Sequence, residues 1–446
     1  MSVFNIAILG AGPASLYFTE YLLKQLPSAQ VHIFERSPVP FGLLRKGVAP
    51  DHLQVKNVTK KLQKILENPR VRFFGNVNAL YDIKLSELKT AYSAVVLATG
   101  SPRSRPLNIP NESPSTVFHS LRAISAWNGG SEPASIAPLL NSTHVVVVGI
   151  GNVSLDVARV LLKTPEQLRS DSEMPQVAID ALSSSRIRKV TILARRGPTT
   201  ASCTYKELDE MKHLDAKIHI DSDVLHRDYG ELDSSQQRKL DLFKKLVAWS
   251  NGDAERTLTF KFFTSPAEIL LNDHSTNPSP APNPGPSGLK CVENDIVNGK
   301  VVPSSKSFTI SEPEQLGIVN ATGFEVERMP GIPLNSKTGR IANEKGRIEN
   351  GVYCTGWAKQ VLSVVLSNKK CAVETVQTLL SDIENGMVET RGVFDIDGLL
   401  AERKIKPTTV DDWKMVDDFE KESGSDGQRA KFVNDDAILE FINSKA

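Results

Sequence analysis

Phe4-Asn5-Ile6-Ala7-Ile8-Leu9-Gly10-Ala11-Gly12-Pro13-Ala14-Ser15 decides how this chain begins to fold. A short apolar run is broken by two closely spaced glycines, and Leu16, Tyr17, Tyr21, Leu22 and Leu23 then recur at helical spacing. The pattern reads strand, tight turn, helix. A second apolar run, Val31 to Phe34, ends in Glu35 and completes a βαβ unit. Gly10 and Gly12 allow a pyrophosphate to approach the backbone, while Pro13 and Ala14 open a helix whose N–H groups and dipole favour an anion. Glu35 lies 25 residues after Gly10. A carboxylate there accepts both ribose hydroxyls and repels a 2′-phosphate, so the turn suits FAD or NAD and not NADP. The third glycine position holds Ser15, whose hydroxymethyl group must find room between helix and strand.

The same logic returns downstream. His144 to Val148 is followed by Gly149-Ile150-Gly151-Asn152-Val153-Ser154, and Asp156 to Leu162 continues as helix. The next strand, Lys189 to Leu193, leads through Ala194 into Arg195-Arg196. Paired guanidiniums suit capture of a phosphate dianion, which points to NADPH at this second turn. Ala94 to Ala98 and Gly317 to Thr322 are twin buried strands closed by glycine, and Gly351 to Trp357 with the helix-like Val364 to Leu380 would finish a sheet begun by residues 1–100. The expected architecture is therefore α/β, with two Rossmann-like dinucleotide-binding domains and the NADP domain inserted into a discontinuous FAD domain. The boundaries expected are 1–103 and 319–446 for the FAD domain, with 104–318 for the inserted one. The proline-rich stretch 272–287 reads as a disordered linker extending a hairpin, and the tail from Thr408 as short surface helices.

Composition narrows the functional classes. The 446 residues carry 53 Lys+Arg against 52 Asp+Glu, a net charge of +1, which removes the global electrostatic case for nucleic-acid binding. No stretch approaches the length of a membrane helix. The four cysteines, Cys203, Cys291, Cys354 and Cys371, are scattered. They form neither a metal motif nor a C-x-x-x-x-C redox pair, so no metal site is expected and any iron–sulfur acceptor is a separate protein. Met1 to Leu9 enters a strand pattern at once, and no targeting peptide is expected in this chain.

With two dinucleotide turns of opposite ribose chemistry in place, the sequence resembles the adrenodoxin reductase family, the NADPH:ferredoxin oxidoreductases of mitochondria and some bacteria. The most specific match is Val39 to Val58, VPFGLLRKGVAPDHLQVKNV, supported by GNVSLDVAR from Gly151, ARRGP from Ala194, TYKEL from Thr204, GVYCTGW from Gly351 and DDW from Asp411. The resemblance implies FAD on Gly10, Gly12, Pro13, Ala14, Glu35, Leu43, Ala79, Trp357, Val364, Val365 and Leu366. For NADP(H) it implies Gly149, Gly151, Asn152, Val153, Arg195, Arg196, Glu207 and Val364. His52 matches a histidine near the flavin, and Asp156 is a second candidate catalytic group. It further implies a monomer in the mitochondrial matrix, electron transfer to an adrenodoxin-type [2Fe–2S] ferredoxin, and peripheral contact with the inner membrane. Arg238, Lys239, Lys244 and Lys245, in a helical run, are candidates for docking that acidic partner.

One segment departs from the pattern. After Trp357 the family usually reads K-R/K-G-x-x-G-V-I, whereas this chain has Ala358 to Leu366, with valines at 361 and 364 in place of the glycines. β-branched residues there are expected to crowd the nicotinamide side of the flavin. The alternative they raise is a degenerate paralogue that keeps the fold and nucleotide binding in a structural role.

Overall fold

A computed structural model describes residues 3–272, 285–312, 314–361, 367–392, 394–424 and 429–445. The chain forms two compact units, one of Met1–Val48, His52–Arg103 and Phe324–Ala446, the other of Ala49–Asp51 and Ser104–Gly323.

The first unit is built on a six-stranded sheet in the order Arg347–Glu349, Val352–Cys354, Ala94–Leu97, Phe4–Leu9, Ala29–Phe34, Val71–Phe74. All pairs are parallel except the first, which is an antiparallel edge. Alternation along the opening strand explains why it reads as an unbroken apolar run. Ile6 and Ile8 pack with Leu16, Phe18 and Leu22 of the helix Pro13–Gln25 on one face, while Ala7 and Leu9 pack with Phe34, Phe74 and Leu97 on the other. Truncating Ile8, which is fully buried, to alanine would cost about 2–5 kcal/mol. Helices Val410–Glu422 and Asp435–Lys445 form the tail, burying Trp413, Val416, Ile438 and Ile442 in the core that holds Ile6.

The second unit repeats the plan with an all-parallel sheet in the order Phe118–His119, Leu316–Asn320, His144–Val148, Lys189–Leu193, Thr257–Lys261, Lys217–Ile220. Val145 and Val147 face one core, Val146 and Val148 the other. A three-stranded antiparallel sheet, Thr264–Leu271, Pro286–Val297 and Lys300–Ser311, is appended to it.

Two sequence expectations change here. Strand Leu316–Asn320 pairs within the second sheet, so that unit runs to Gly323 and not to 318, and Ala49–Asp51 also belongs to it. Pro286 and Ser287 are not linker: Pro286 pairs with Leu271 at the first position of its strand, where the missing N–H is tolerated. Asn272 and Gly285 continue the pairing, the Asn272 N–H donating to the Gly285 carbonyl at 3.1 Å, and the remaining residues of the proline-rich stretch, 273–284, lie outside the described residues.

Candidate functional site

In the first unit, Gly10 takes φ +105°, and a Cβ added there would stand 2.5 Å from the Ala98 carbonyl oxygen. The close crossing of two backbones dictates this glycine. Gly12 is different, because nothing lies within 4 Å of its would-be Cβ. That open space is what an approaching pyrophosphate needs, and no side chain caps the helix that starts at Pro13.

Glu35 is half-buried beside this turn. One carboxylate oxygen accepts the Ala11 N–H at 2.8 Å and the other the Ser37 N–H at 3.1 Å. The side chain thus braces the turn while each oxygen keeps acceptor capacity for a ribose hydroxyl. The Val77 N–H donates to the Glu35 carbonyl at 2.9 Å, which lays the segment leading to half-buried Ala79 alongside. From the other side the Phe41 N–H donates to the Ala11 carbonyl at 2.9 Å. Phe41 and Gly42 both have positive φ, and this turn starts the short helix Leu43–Lys46 with Leu43 exposed. Burial pushes the Lys46 ammonium below its ordinary pKa although Asp435, 2.5 Å away, pulls the other way.

Trp357 comes to the same unit from far along the chain. Its carbonyl accepts Ser101 Oγ at 2.9 Å and Arg340 Nη1 at 2.8 Å, and its ring lies against Phe324 and the Arg340 guanidinium. Gly356, at φ +68°, leaves room for only a hydrogen, since a Cβ would stand 2.4 Å from the Ala14 Cβ. The Trp357 turn therefore rests on the first turn of the opening helix. Sequence reasoning missed Ser101 and Arg340, which no local motif marks. His52 is half-buried at the start of the turn Leu53–Lys56, its carbonyl accepting the Val55 and Lys56 N–H groups at 3.1 and 3.2 Å. Val364, Val365 and Leu366 lie outside the described residues. Val361 is 66% exposed and does not take a positive φ. Ser15 has found room: it is fully buried, but its hydroxyl meets no partner among the described residues.

The second unit reproduces the device. Gly149 has φ +113°, and its added Cβ would stand 2.6 Å from the Ala321 carbonyl oxygen, whereas Gly151 meets only Ser202 Oγ at 3.6 Å. Segment 202–204 is laid on this turn. The Ile150 carbonyl accepts Ser202 Oγ at 2.8 Å and the Cys203 N–H at 3.1 Å, and Asn152 Oδ1 accepts the Thr204 N–H at 2.8 Å. Thr204 then caps the helix Tyr205–Asp209, accepting the Glu207 N–H at 3.3 Å. Val153 is half-buried in the first turn after Gly151. Arg195 and Arg196 are exposed and meet no carboxylate among the described residues, while their backbones are pinned by Asn294 Nδ2 at 3.1 Å and the Phe263 N–H at 3.3 Å. Two cations on a pinned backbone, paired with no carboxylate among the described residues, suit a dianionic phosphate. Asp156 is buried, accepting from Arg159 at 2.7 Å, and Arg159 also grips Asp51 through 2.7 and 2.9 Å hydrogen bonds.

All four cysteines are buried and unpaired by disulfide. Burial pushes the Cys203 thiol up to about 11, and Cys291 and Cys354 up to about 12, so these three stay protonated at neutral pH.

Two nucleotide turns, one backed by a carboxylate and one by paired arginines, define a flavin- and NADP(H)-dependent oxidoreductase. Pyridine nucleotide-disulphide oxidoreductases as a family match residues 4–225. NADPH:adrenodoxin oxidoreductase, mitochondrial, of Arabidopsis thaliana is 34% identical, with 94% of this chain and 91% of that protein aligned. NADPH-ferredoxin reductase FprA of Mycobacterium tuberculosis is 31% identical over 95% of each chain. The solved structure of Mycobacterium tuberculosis FprA in complex with NADPH superposes with a TM-score of 0.88 at 30% identity, covering 99% of this chain and 100% of that one. This chain belongs to the NADPH:adrenodoxin oxidoreductase family. Its near full-length match to named reductases favours a working enzyme over the degenerate paralogue.

Proposed function

We propose that this protein passes electrons from NADPH, by way of bound FAD, to a small [2Fe–2S] ferredoxin. The observation that carries the reading is the contrast between Glu35 at one glycine turn and, at the other, Arg195 and Arg196, which pair with no carboxylate among the described residues. Gly10, Gly12, Pro13, Ala14, Glu35, Leu43, Ala79 and Trp357 would hold FAD, with Val364, Val365 and Leu366 assigned by family resemblance alone. Gly149, Gly151, Asn152, Val153, Arg195, Arg196 and Glu207 would hold NADP(H), again with Val364 by resemblance. FAD supplies acceptance of a hydride and release of its electrons one at a time.

The chain's own task is alignment and selection. Ser101 and Arg340 fix the Trp357 carbonyl, Glu35 braces its turn, and the arginines choose the phosphorylated ribose. His52 is assigned to the flavin side. For Asp156 the grip of Arg159 favours a positioning role in the helix Asn152–Leu162.

For the acidic partner we assign the helix Ser234–Trp249, where Arg238 and Lys245 are exposed, whereas Lys239 is turned to the Ala201 carbonyl at 2.5 Å. Relatives named as mitochondrial support a mitochondrial compartment; the matrix, a monomeric state and peripheral contact with the inner membrane rest on the family resemblance alone, and cell fractionation and sedimentation test these points. No helix among the described residues is long and apolar enough to cross a membrane.

Purified protein should absorb at flavin wavelengths and bleach on anaerobic addition of NADPH. With a [2Fe–2S] ferredoxin it should reduce cytochrome c, and charge reversal at Arg238 and Lys245 should slow that assay more than dye reduction, with strong salt dependence. Protein that remains colourless after incubation with FAD would overturn the reading.

A further inference from the structure

Three parallel strands of the second unit, Lys189–Leu193, Thr257–Lys261 and Lys217–Ile220, are neighbours, so the chain leaves all three at one edge. Ligands of open parallel sheets gather at that carboxyl edge. The first exit carries Arg195 and Arg196, the second Phe263, the third Arg227.

Gly197 draws these exits together. A Cβ on it would stand 2.6 Å from Phe263 Cζ and 3.1 Å from Tyr229 Cε1, so both rings lie directly against the residue that follows the arginine pair. Phe263 sits at φ +49°, an unfavourable conformation for an aromatic residue. It is held there by the Thr264 N–H on the Ala194 carbonyl at 2.9 Å and by the Asn294 N–H on its own carbonyl at 2.6 Å. Such strain persists only where surrounding structure over-determines it, and it gathers at ligand sites. What the strained backbone achieves is the placement of one ring. The Arg227 guanidinium lies over that ring, 4.7 Å from its centroid.

Arg227 is exposed and meets no carboxylate among the described residues. Of the neighbouring acids, Asp221 binds Lys261 at 2.7 Å and Asp228 accepts the Gly230 N–H at 2.8 Å, while Asp223 lies near Tyr229 and forms no ion pair with Arg227 among the described residues. A guanidinium resting on an aromatic face keeps its N–H edge for an acceptor.

We infer that Arg227 is a third guanidinium of the 2′-phosphate site, acting with Arg195 and Arg196 to select a 2′-phosphorylated adenine nucleotide. This rests on reading the second glycine turn as the NADP(H) site. The role belongs to Arg227 because the Phe263 ring lies under its guanidinium and no carboxylate among the described residues pairs with it.

Calorimetric titration of the FAD-loaded protein with 2′,5′-ADP and with ADP tests it on wild type, Arg227→Ala and Arg195→Ala. Arg227→Ala should weaken 2′,5′-ADP about tenfold, equivalent to about 1.4 kcal/mol, and leave ADP unchanged. Unchanged 2′,5′-ADP binding in Arg227→Ala alongside a loss in Arg195→Ala overturns this inference and leaves the NADP(H) reading standing. Unchanged binding in both variants overturns that reading itself. Equal losses for both nucleotides in Arg227→Ala would assign the residue to the adenosine or the fold, which also removes it from the phosphate site.

Discussion

Arg45 and Glu420 meet through two hydrogen bonds, Nη1 to Oε2 at 3.0 Å and Nη2 to Oε1 at 2.5 Å, with both side chains buried. Arg45 also lies over the Trp413 ring, 5.3 Å from its centroid, and that ring packs edge-on against Phe41 at 5.5 Å. The tail of the chain thus clamps the Phe41–Lys46 turn that carries Leu43, which is proposed above to hold FAD. Removing one partner of a buried ion pair strands the other charge, so Glu420→Gln should cost about 3–5 kcal/mol of stability. It should also weaken FAD binding, because the turn loses its anchor. Thermal melts with and without FAD, together with FAD titration of stripped protein, separate the two effects; intact FAD affinity in a destabilised variant would show that the clamp serves the fold alone.

Acid sensitivity should begin with the histidines that burial holds below the ordinary 6.5, His32, His119 and His144, with His32 shifted far enough to be followed alone. Burial, with help from Arg72, pushes its imidazole from the ordinary 6.5 down to about 4, and its Nδ1 lies 2.8 Å from the Tyr92 hydroxyl. Between those values the unfolded chain binds a proton that the folded chain does not, so stability falls as pH drops from 6.5 through about 4. The full loss is on the order of 3 kcal/mol. His32→Asn should make this limb of the stability profile shallower, His119 and His144 keeping their share, while leaving the steeper decline below pH 4 to the carboxylates. Parallel acid limbs in urea unfolding of the two proteins would assign the effect elsewhere.

Local features were legible in the sequence and distant ones were not. Glycine spacing, the end of the following strand and the Arg195-Arg196 pair are short-range patterns, so both glycine turns, the carboxylate beside the first and the arginine pair beside the second could be read. The reason for Gly10 could not, because it is the Ala98 carbonyl crossing at 2.5 Å. Nor could the support of Trp357, since Ser101 and Arg340 are 239 residues apart, or the Arg45–Glu420 clamp, which spans 375. Proline content mistook Pro286 and Ser287 for linker because composition does not reveal that a proline can open a strand. Arg227 carries no motif, and only the folding of three strand exits onto Gly197 brings it near the arginine pair.

Ser15 offers a gain in stability. Its hydroxyl is fully buried without a partner among the described residues, a desolvation cost of about 1–3 kcal/mol. Ser15→Ala keeps the Cβ that the packing already accommodates and is the better helix former, so unfolding should become harder by about 1 kcal/mol or more. Chemical denaturation of protein stripped of FAD measures this without interference from the ligand. A less stable Ser15→Ala would mean that the hydroxyl is satisfied after all.

The first glycine turn allows fold and ligand binding to be separated with two single substitutions. In Gly10→Ala the new methyl would meet the Ala98 carbonyl at 2.5 Å on a backbone held at φ +105°, so either the strand crossing moves or the chain does not fold. The cost should exceed the 1–3 kcal/mol typical of a side chain forced into a sparsely populated backbone region. Gly12→Ala has the opposite character. Its φ of −78° suits alanine, and its methyl would enter open space. Stripped Gly12→Ala protein should therefore unfold within about 0.5 kcal/mol of wild type, as surface substitutions usually do. That same open space is where the pyrophosphate must approach, so FAD affinity should drop by tenfold or more. Flavin fluorescence titration and denaturant unfolding on both variants give the comparison. Normal FAD binding by Gly12→Ala would place the cofactor elsewhere, and wild-type stability in Gly10→Ala would show that the crossing backbones can part without cost.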